Sequence, residues 1–482
     1  MKILLPIIIF LCGCFGHPLL TQTVIQLTDN DYADYDPRIS GENVVWIGGN
    51  NTNDNTQIYY YHLIGLGPSA VTDTETAKFN IDISGDKMVW NEATDREDGN
   101  TWEVHFFDFN APDPILQLTN NSFSDRFPKI SENDIVWDRR NTSISFLHSR
   151  IFHYDLNLPS SQTNQKKIAD DGNNYVEPEI SGNHVAFYYA DGSDSEVVYY
   201  NLDTQAPTLQ LTSTSVFVFD VQLSNNKLWW SGWHGDIHYF DLNTQENPVL
   251  IHDVDPNGYG IYLNATDDYA VWSRYDLNIG SRDIFYYDIN SQNGVIQLTD
   301  DEVNDANPII SGGYIIWERG EGEGTELFYF DLINQGPIVQ LTDNDFKDGS
   351  VEASNNKLVW QGGYLDVFDV YTDSTLEVFT ASLPELTTAT KKVPLPLYQL
   401  GSITPNPVSD QALIEYTISE GAHVSLQVLD HNGRTIEVLT NTHMPSGQHQ
   451  AILDVEGLPA GVYFVALVVN NFRTTKRIVV IN

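Results

Sequence analysis

The chain has 482 residues, 41% of them hydrophobic and 12% aromatic, with three methionines. That is ample apolar mass for a packed interior, and it excludes a disordered chain. Sixty-six acidic against 24 basic residues leave a formal net charge of −42, which repels phosphate backbones and anionic lipid heads and argues against a nucleic-acid partner.

In chain order, the first element is an export signal. Met1–Gly16 carries one lysine, then the apolar run Ile3–Leu11, then small residues, the pattern of a cleaved signal over residues 1–16 rather than a span. No other stretch approaches the roughly 20 apolar residues of a transmembrane helix. Leu11-Cys12-Gly13-Cys14 resembles a lipoprotein cleavage box. Two outcomes stay open: a lipid anchor at Cys14, or cleavage at or beyond Gly16 that leaves no cysteine. Neither supplies a disulfide framework.

From residue 22 to 380 the sequence repeats itself. The first unit reads QLTDNDYADYDPRISGENVVW and then QIYYYHL; the third reads QLTNNSFSDRFPKISENDIVW and then RIFHYDL. Eight units can be laid out. Each has a bulky aromatic at one place: Trp46, Trp90, Trp137, Phe187, Trp230, Trp272, Trp317 and Trp360, spaced 42 to 50 residues apart. Each unit holds four short apolar or alternating runs separated by turn residues, for example Pro37–Ser40, Val44–Trp46, Gln57–Leu63 and a closing V-I-Q-L-T. Period-2 aromatic runs of this length are strands, and four strands in about 45 residues make a propeller blade. The aromatic positions are expected to pack between blades.

The interval from the end of each fourth run to the next first run reads as nine residues throughout, as from Thr28 to Pro37 and from His252 to Ile261. The connector after each aromatic varies, from Gln361–Tyr364 to Asn91–Thr101. Because strands alternate in direction, both connector types emerge on one face, where a binding site is expected. Val24–Thr28 and Thr375–Thr380 compete for the strand that closes the ring. The repeat resembles TolB-like propeller blades over about Thr23 to Thr380. The expected fold is all-β, an eight-bladed propeller with seven blades as the alternative.

Residues 381–402, rich in Pro and Thr, read as a linker. Residues 403–482 alternate as about seven strands, a small Ig-like sandwich. Pro405-Asn406-Pro407, Gly433-Arg434, Gly461 through Tyr463 and the basic end Lys476-Arg477 together resemble the type A sorting domain of type IX secretion. The resemblance implies handling by that machinery through Gly461, Tyr463, Lys476 and Arg477, and a secreted or outer-surface location.

The candidate site residues come from the constant connector. Asp34, Asp125, Asp305 and Asp348 share one register, and Asp36, Glu177 and Asp220 sit two residues on. On a propeller these carboxylates would ring the channel mouth, with hydrogen bonding to their own backbone as the competing role. Ca²⁺ is the one cofactor their chemistry suits. Asp253, Asp255 and Asn257 match the opening of a calcium loop, but Asn264 stands where a closing Glu is required. The loops Asp95–Asn100 and Asp191–Glu196 are similar. Trp233, beside Tyr188, Tyr189 and Tyr275 on other connectors, offers a stacking surface for sugar rings. The histidines, among them His62, His105, His153 and His238, show no metal-ligand spacing, and no nucleophile elbow or phosphate loop occurs. The expected function is a binding protein that engages glycan or protein through its variable face. A carbohydrate-active lyase or hydrolase at the channel mouth, or a surface scaffold, are the alternatives.

Overall fold

A computed structural model describes residues 24–481 apart from the segments 50–55, 66, 95–100, 112–113, 142–148, 159–163, 170–174, 191–194, 213–217, 233–234, 253–257, 278–279, 292–293, 364–375, 385–398, 419–420, 430–433, 456 and 470–471. The chain forms two compact units, residues 1–60 with 69–386, and residues 387–482 with 61–68. Among the described residues there is no α-helix.

The first unit is a β-propeller. In its first blade the inner strand is Ala33–Ser40, the second Asn43–Gly49, the third Thr56–His62 and the outer Ser69–Ala70. Gly41 turns the inner strand into the second at φ +62°, and Gly85, Gly182 and Gly312 do the same at φ 54–58° in later blades. This left-handed turn is one that glycine adopts without a Cβ penalty. Among the described residues the unit holds eight four-stranded antiparallel sheets, one for each repeat. Outer strands run two to five residues, which limits the exposed edge. The longest, Gln165–Ala169, carries exposed Lys166 and Lys167, charges that discourage edge pairing.

The last blade corrects two expectations. Its third strand is Glu377–Ser382, paired with Lys357–Gly363, far beyond the short connector read after Trp360. Val24–Thr28 and Thr375–Thr380 do not compete. Glu377–Ser382 is the third strand, and Ile25–Gln26 lies on it as the outer one, with Ile25 opposite Thr380. Both chain ends of the propeller thus build blade 8, and its seam residues follow the rule of the other blades.

That rule explains the QLT motif. The threonine Oγ accepts the buried N–H of a third-strand residue in six blades: Ile58 to Thr72, Val104 to Thr119, Val197 to Thr212, Ile284 to Thr299, Leu327 to Thr342 and Val378 to Thr28, at 2.8–3.0 Å. A buried N–H without a partner costs about 1–3 kcal/mol, so the threonine is a fold residue. Two residues on, an asparagine ties the seam. Asn121 donates its N–H to Glu103 at 2.7 Å and its amide to Asp125 at 2.7 Å. Asn30 and Asn344 repeat this at two other seams.

The eight aromatics from Trp46 to Trp360 are at most 3% exposed. Each stacks on a third-strand ring or packs in its cluster, as Trp137 on Phe152 at 5.8 Å and Trp230 on His238 at 5.4 Å.

The second unit is a sandwich of a three-stranded sheet, Gln399–Thr404, Gln411–Ile418 and Gly447–Asp454, and a four-stranded sheet, Thr435–Met444, Ala422–Leu429, Gly461–Val469 and Phe472–Val480. Val424, Leu426, Val465, Leu467 and Ile478 are fully buried between them. Of the predicted sorting residues, Gly461 opens a strand and is exposed. Tyr463 is buried, with its hydroxyl donating to the Pro459 carbonyl at 2.9 Å. Lys476 is exposed and Arg477 lies in the last strand.

Candidate binding site at the channel mouth

The four aspartates read as mouth ligands are inside the blades instead. Asp34, Asp125, Asp305 and Asp348 are 0–1% exposed. Each accepts the indole N–H of its own blade's tryptophan twelve residues on, at 2.7–2.9 Å. A buried indole N–H needs an acceptor, and this carboxylate is it. The remaining charge is handled blade by blade. In blades 3 and 7 Arg139 and Arg319 lie on Asp125 and Asp305. In blade 2 the signs are exchanged: Lys78 stands in the aspartate register, and the Trp90 indole donates to Glu92 at 3.2 Å.

Asp36, half-buried, and Glu177, exposed, lie instead at a bulge near the start of the inner strand. A bulge in the inner strand puts one residue in the left-handed region in six of the blades: Asp36, Asn80, Phe127, Glu177, Asn307 and Ser350, all at φ 49–53°. Asp220 occupies this register in blade 5 and accepts the Leu263 N–H at 3.0 Å. In blade 6 pairing sets Leu263 opposite Trp272, where Pro37 would sit in blade 1. The interval from His252 is therefore eleven residues, not nine, and Tyr262 takes the mouth position, 51% exposed.

Two mouth residues stand out. Asn, Asp and Ser tolerate a positive φ, but a bulky side chain there costs of order 1–3 kcal/mol. Phe127 holds φ +49°, half-buried, with the Arg126 guanidinium 5.2 Å from its ring centroid. Tyr262 likewise lies under Arg282, at 5.2 Å. Sequence reading missed both. For Phe127 the signal was an aromatic before proline where other units have Asp, Asn or Glu.

A cavity of about 280 Å³ opens beside Phe127. Its walls are Ile81, Phe127, Pro128 and Pro178, and its polar groups are Arg38, Asn80, Lys129, Glu177 and Glu179. Below the mouth, blades 8 to 4 carry Glu352, Arg38, Asp82, Lys129 and Glu179 in one register. Their charges alternate and pair with neighbours. Arg38 bonds Glu352 and lies 2.8 Å from Asp36; Lys129 is 2.9 Å from Glu179. Glu179 holds the Lys129 ammonium well above its usual range. Blades 5 to 7 offer Gln222, Asn264 and Ile309 in that register, so the charged half of the channel faces an uncharged half.

Behind Glu177 lies a strained seam. Glu318 and Gln361 reach across to the next blade's left-handed N–H, at Ser350 and Asp36, at 2.8 and 3.1 Å. Asp138 stands at the same place in blade 3 but is shorter. Neither of its oxygens has a hydrogen bond, and Arg126 and Arg140 approach only to 3.9 and 3.6 Å. Burial pushes its carboxyl up to about 7. Burial, and then the exposed Glu177, hold the Tyr188 hydroxyl above its usual range.

The remaining predicted residues, Trp233, Asp253, Asp255 and Asn257, lie outside the described residues, as do residues 95–100 and 191–194 of the acidic loops. Among the described residues no three of His, Cys, Asp and Glu come together to hold a metal ion. No helix is long and apolar enough to cross a membrane among those residues.

Residues 402–481 match the family described as a secretion system C-terminal sorting domain. The chain therefore carries a type IX sorting tail and is directed to the cell surface or the extracellular space. No protein of curated function matches the sequence. Solved structures similar to it include the computationally designed Ika8 protein (14% identity, TM-score 0.49, 73% of this chain and 98% of that one). Two others are BamB from Moraxella catarrhalis (15%, 0.44, 75% and 98%) and the propeller domain of the Trilobed protease from Pyrococcus furiosus (11%, 0.44, 66% and 98%).

Proposed function

We propose that this protein is a surface or secreted glycan-binding protein that works without catalysis and holds its ligand at the channel mouth over blades 1 to 4. Phe127 carries the reading. An aromatic kept at a positive φ beside a cavity needs a reason that packing does not give, since the other five residues held at that φ in this register are polar. Sugar recognition supplies one. A pyranose presents an apolar face to an aromatic ring and a rim of hydroxyls that both donate and accept. Arg38, Lys129 and Asn80 donate, Glu177 and Glu179 accept, and the paired charges nearly cancel, as suits an uncharged polyhydroxylated ligand. The volume lies just below the usual range for small-molecule sites, so one or two sugar residues would enter and the rest of a chain would lie on the loop face.

The test is a panel of neutral and acidic polysaccharides against the purified full-length mature protein, with binding and product release read together. Saturable binding to a neutral glycan that falls at least tenfold in Phe127→Ala supports the proposal. Release of shortened or unsaturated products would replace it with the lyase or hydrolase reading. Binding that Phe127→Ala leaves unchanged would move the site elsewhere.

A further inference from the structure

Blade 8 is the blade built from both ends of the propeller chain, and its two seams share an arrangement that other seams modify. At the seam with blade 1, Glu377 and Asp34 are bridged by Asn30, whose N–H donates to Glu377 Oε1 at 3.2 Å and whose amide donates to Asp34 Oδ2 at 2.6 Å. At the seam with blade 7, Asn344 bridges Glu326 and Asp348 at 2.8 and 2.6 Å. In both pairs the glutamate Oε2 is buried without a hydrogen-bond partner.

The seam between blades 2 and 3 has the same scaffold but a different charge balance. There Arg139 lies on Asp125 at 2.5 and 3.0 Å. Arg319 serves Asp305 in the same way at 2.8 Å. The residues in that register are Gly48 in blade 1 and Gly362 in blade 8. A Cβ on either glycine would collide with Asp34 or Asp348 and with the neighbouring rings, so no side chain at these places can bring a cation.

We propose that each carboxyl pair flanking blade 8 keeps one proton in the closed ring, in place of the missing arginine, and that loss of these protons loosens the blade holding both chain ends. Every group acting strongly on the pairs is neutral or negative. Thr28, Asn30, Asp29 and the Trp46 indole face Glu377 and Asp34, with the Tyr32 hydroxyl nearby. Thr342, Asn344, Asp343 and the Trp360 indole face Glu326 and Asp348. Lys347, next to Asp348 in sequence, acts on Glu318. Burial pushes Glu377 and Asp348 up to about 7 and Asp34 to about 6.

A group of folded pKa about 7 and open-state pKa about 4.5 favours the closed form fully in acid and loses that preference as pH rises through 7. Between pH 5.5 and 8.5, one such proton changes the opening equilibrium about thirtyfold.

The experiment is hydrogen exchange of the full-length mature protein at pH 5.5, 7.0 and 8.5, corrected for intrinsic exchange. The readout is the amides of Leu27, Glu377–Ser382 and Lys357–Gly363 against those of blades 5 and 6, away from Glu103 and Asp138, which burial also pushes up to about 7. Blade 8 is expected to lose protection by about thirtyfold or more relative to the reference blades as pH rises. The double variant Glu326→Gln/Glu377→Gln is expected to stay protected at pH 8.5. Blade 8 exchange that tracks the other blades at every pH would overturn the proposal. So would a pH response that persists in the double variant, or one that millimolar Ca²⁺ abolishes in the wild type, since the pairs would then be a cation site. Should the double variant not fold, the single Glu377→Gln variant gives the same discrimination at one seam.

Discussion

Replacing Asp125 with alanine separates a structural role for the connector aspartates from a ligand role. In the wild type Asp125 is 0% exposed and accepts from the Trp137 indole at 2.9 Å, from Asn121 at 2.7 Å, and from Arg139 at 2.5 and 3.0 Å. The alanine variant leaves a buried indole N–H with no acceptor, worth about 1–3 kcal/mol. It also leaves the mostly buried Arg139 with Gln165, at 2.8 Å, as its remaining side-chain acceptor. Breaking a buried pair from one side costs about 3–5 kcal/mol. The two costs share one side chain and do not add, so a total of about 3–5 kcal/mol is expected. At about 2 °C per kcal/mol for a large domain, the melting temperature should fall by about 6–10 °C in differential scanning calorimetry. Asp36→Asn, at the open mouth, is the control and should move it by less than about 2 °C. Equal small shifts for both variants would refute the account of the Trp–Asp pairs and restore Asp125 as a candidate ligand.

Three further outcomes follow from the same network. Phe127→Gly should remove the left-handed strain and hold or raise thermal stability by about 1 kcal/mol while abolishing glycan binding; loss of both together would show that Phe127 is a packing residue. Thr342→Val removes the acceptor of the buried Leu327 N–H and should cost about 1–3 kcal/mol in denaturant unfolding, with Thr342→Ser recovering most of it. Asp34, Asp138, Asp305, Asp348, Glu103 and Glu377 are all pushed up to about 6 or 7, by burial first. The folded chain binds these protons more tightly than the unfolded one, so stability falls as pH rises from about 4 to about 7. Melting temperatures should be several degrees higher at pH 5.5 than at pH 8, and a flat or inverted profile would contradict these shifts.

The repeat made the strands and the buried aromatics legible, because period-2 runs and a fixed aromatic survive translation along the chain. The aspartates were misread because their register was compared between units and not with the tryptophan in the same unit. The signal was present: Asp and Trp stand twelve residues apart in units 1, 3, 7 and 8. Unit 4 puts Tyr175 and Phe187 in those places, and Phe187 has no N–H to satisfy. The unit-six slip has a different cause. Nothing local marks the start of an inner strand lacking its proline, so a fixed nine-residue interval points to Ile261 and passes over Tyr262. The third strand of unit 8 was hidden because YLDVFDV, just after Trp360, carries the same alternating pattern as the true strand near Glu377.

The way the blades differ says which parts of the ring are free to change. Five blades resolve the polar demands of their tryptophan internally: an Asp–Arg pair in blades 3 and 7, the exchanged Lys78–Glu92 pair in blade 2, an Asp with a glycine in blades 1 and 8. These are alternative solutions to one constraint, and each needs its partners changed together, so the blade interior couples residues tightly. The mouth register obeys a looser rule. It needs a backbone that tolerates the bulge, and beyond that Asp36, Asn80, Phe127, Glu177, Tyr262 and Ser350 share neither size nor charge. A closed ring with strict interiors and a permissive rim lets eight positions around one opening be set almost independently. If the molecule binds glycan as proposed, ligand choice would be written at those positions, and Phe127, the one aromatic among the described residues held at a positive φ, is where a change of ligand should first be sought.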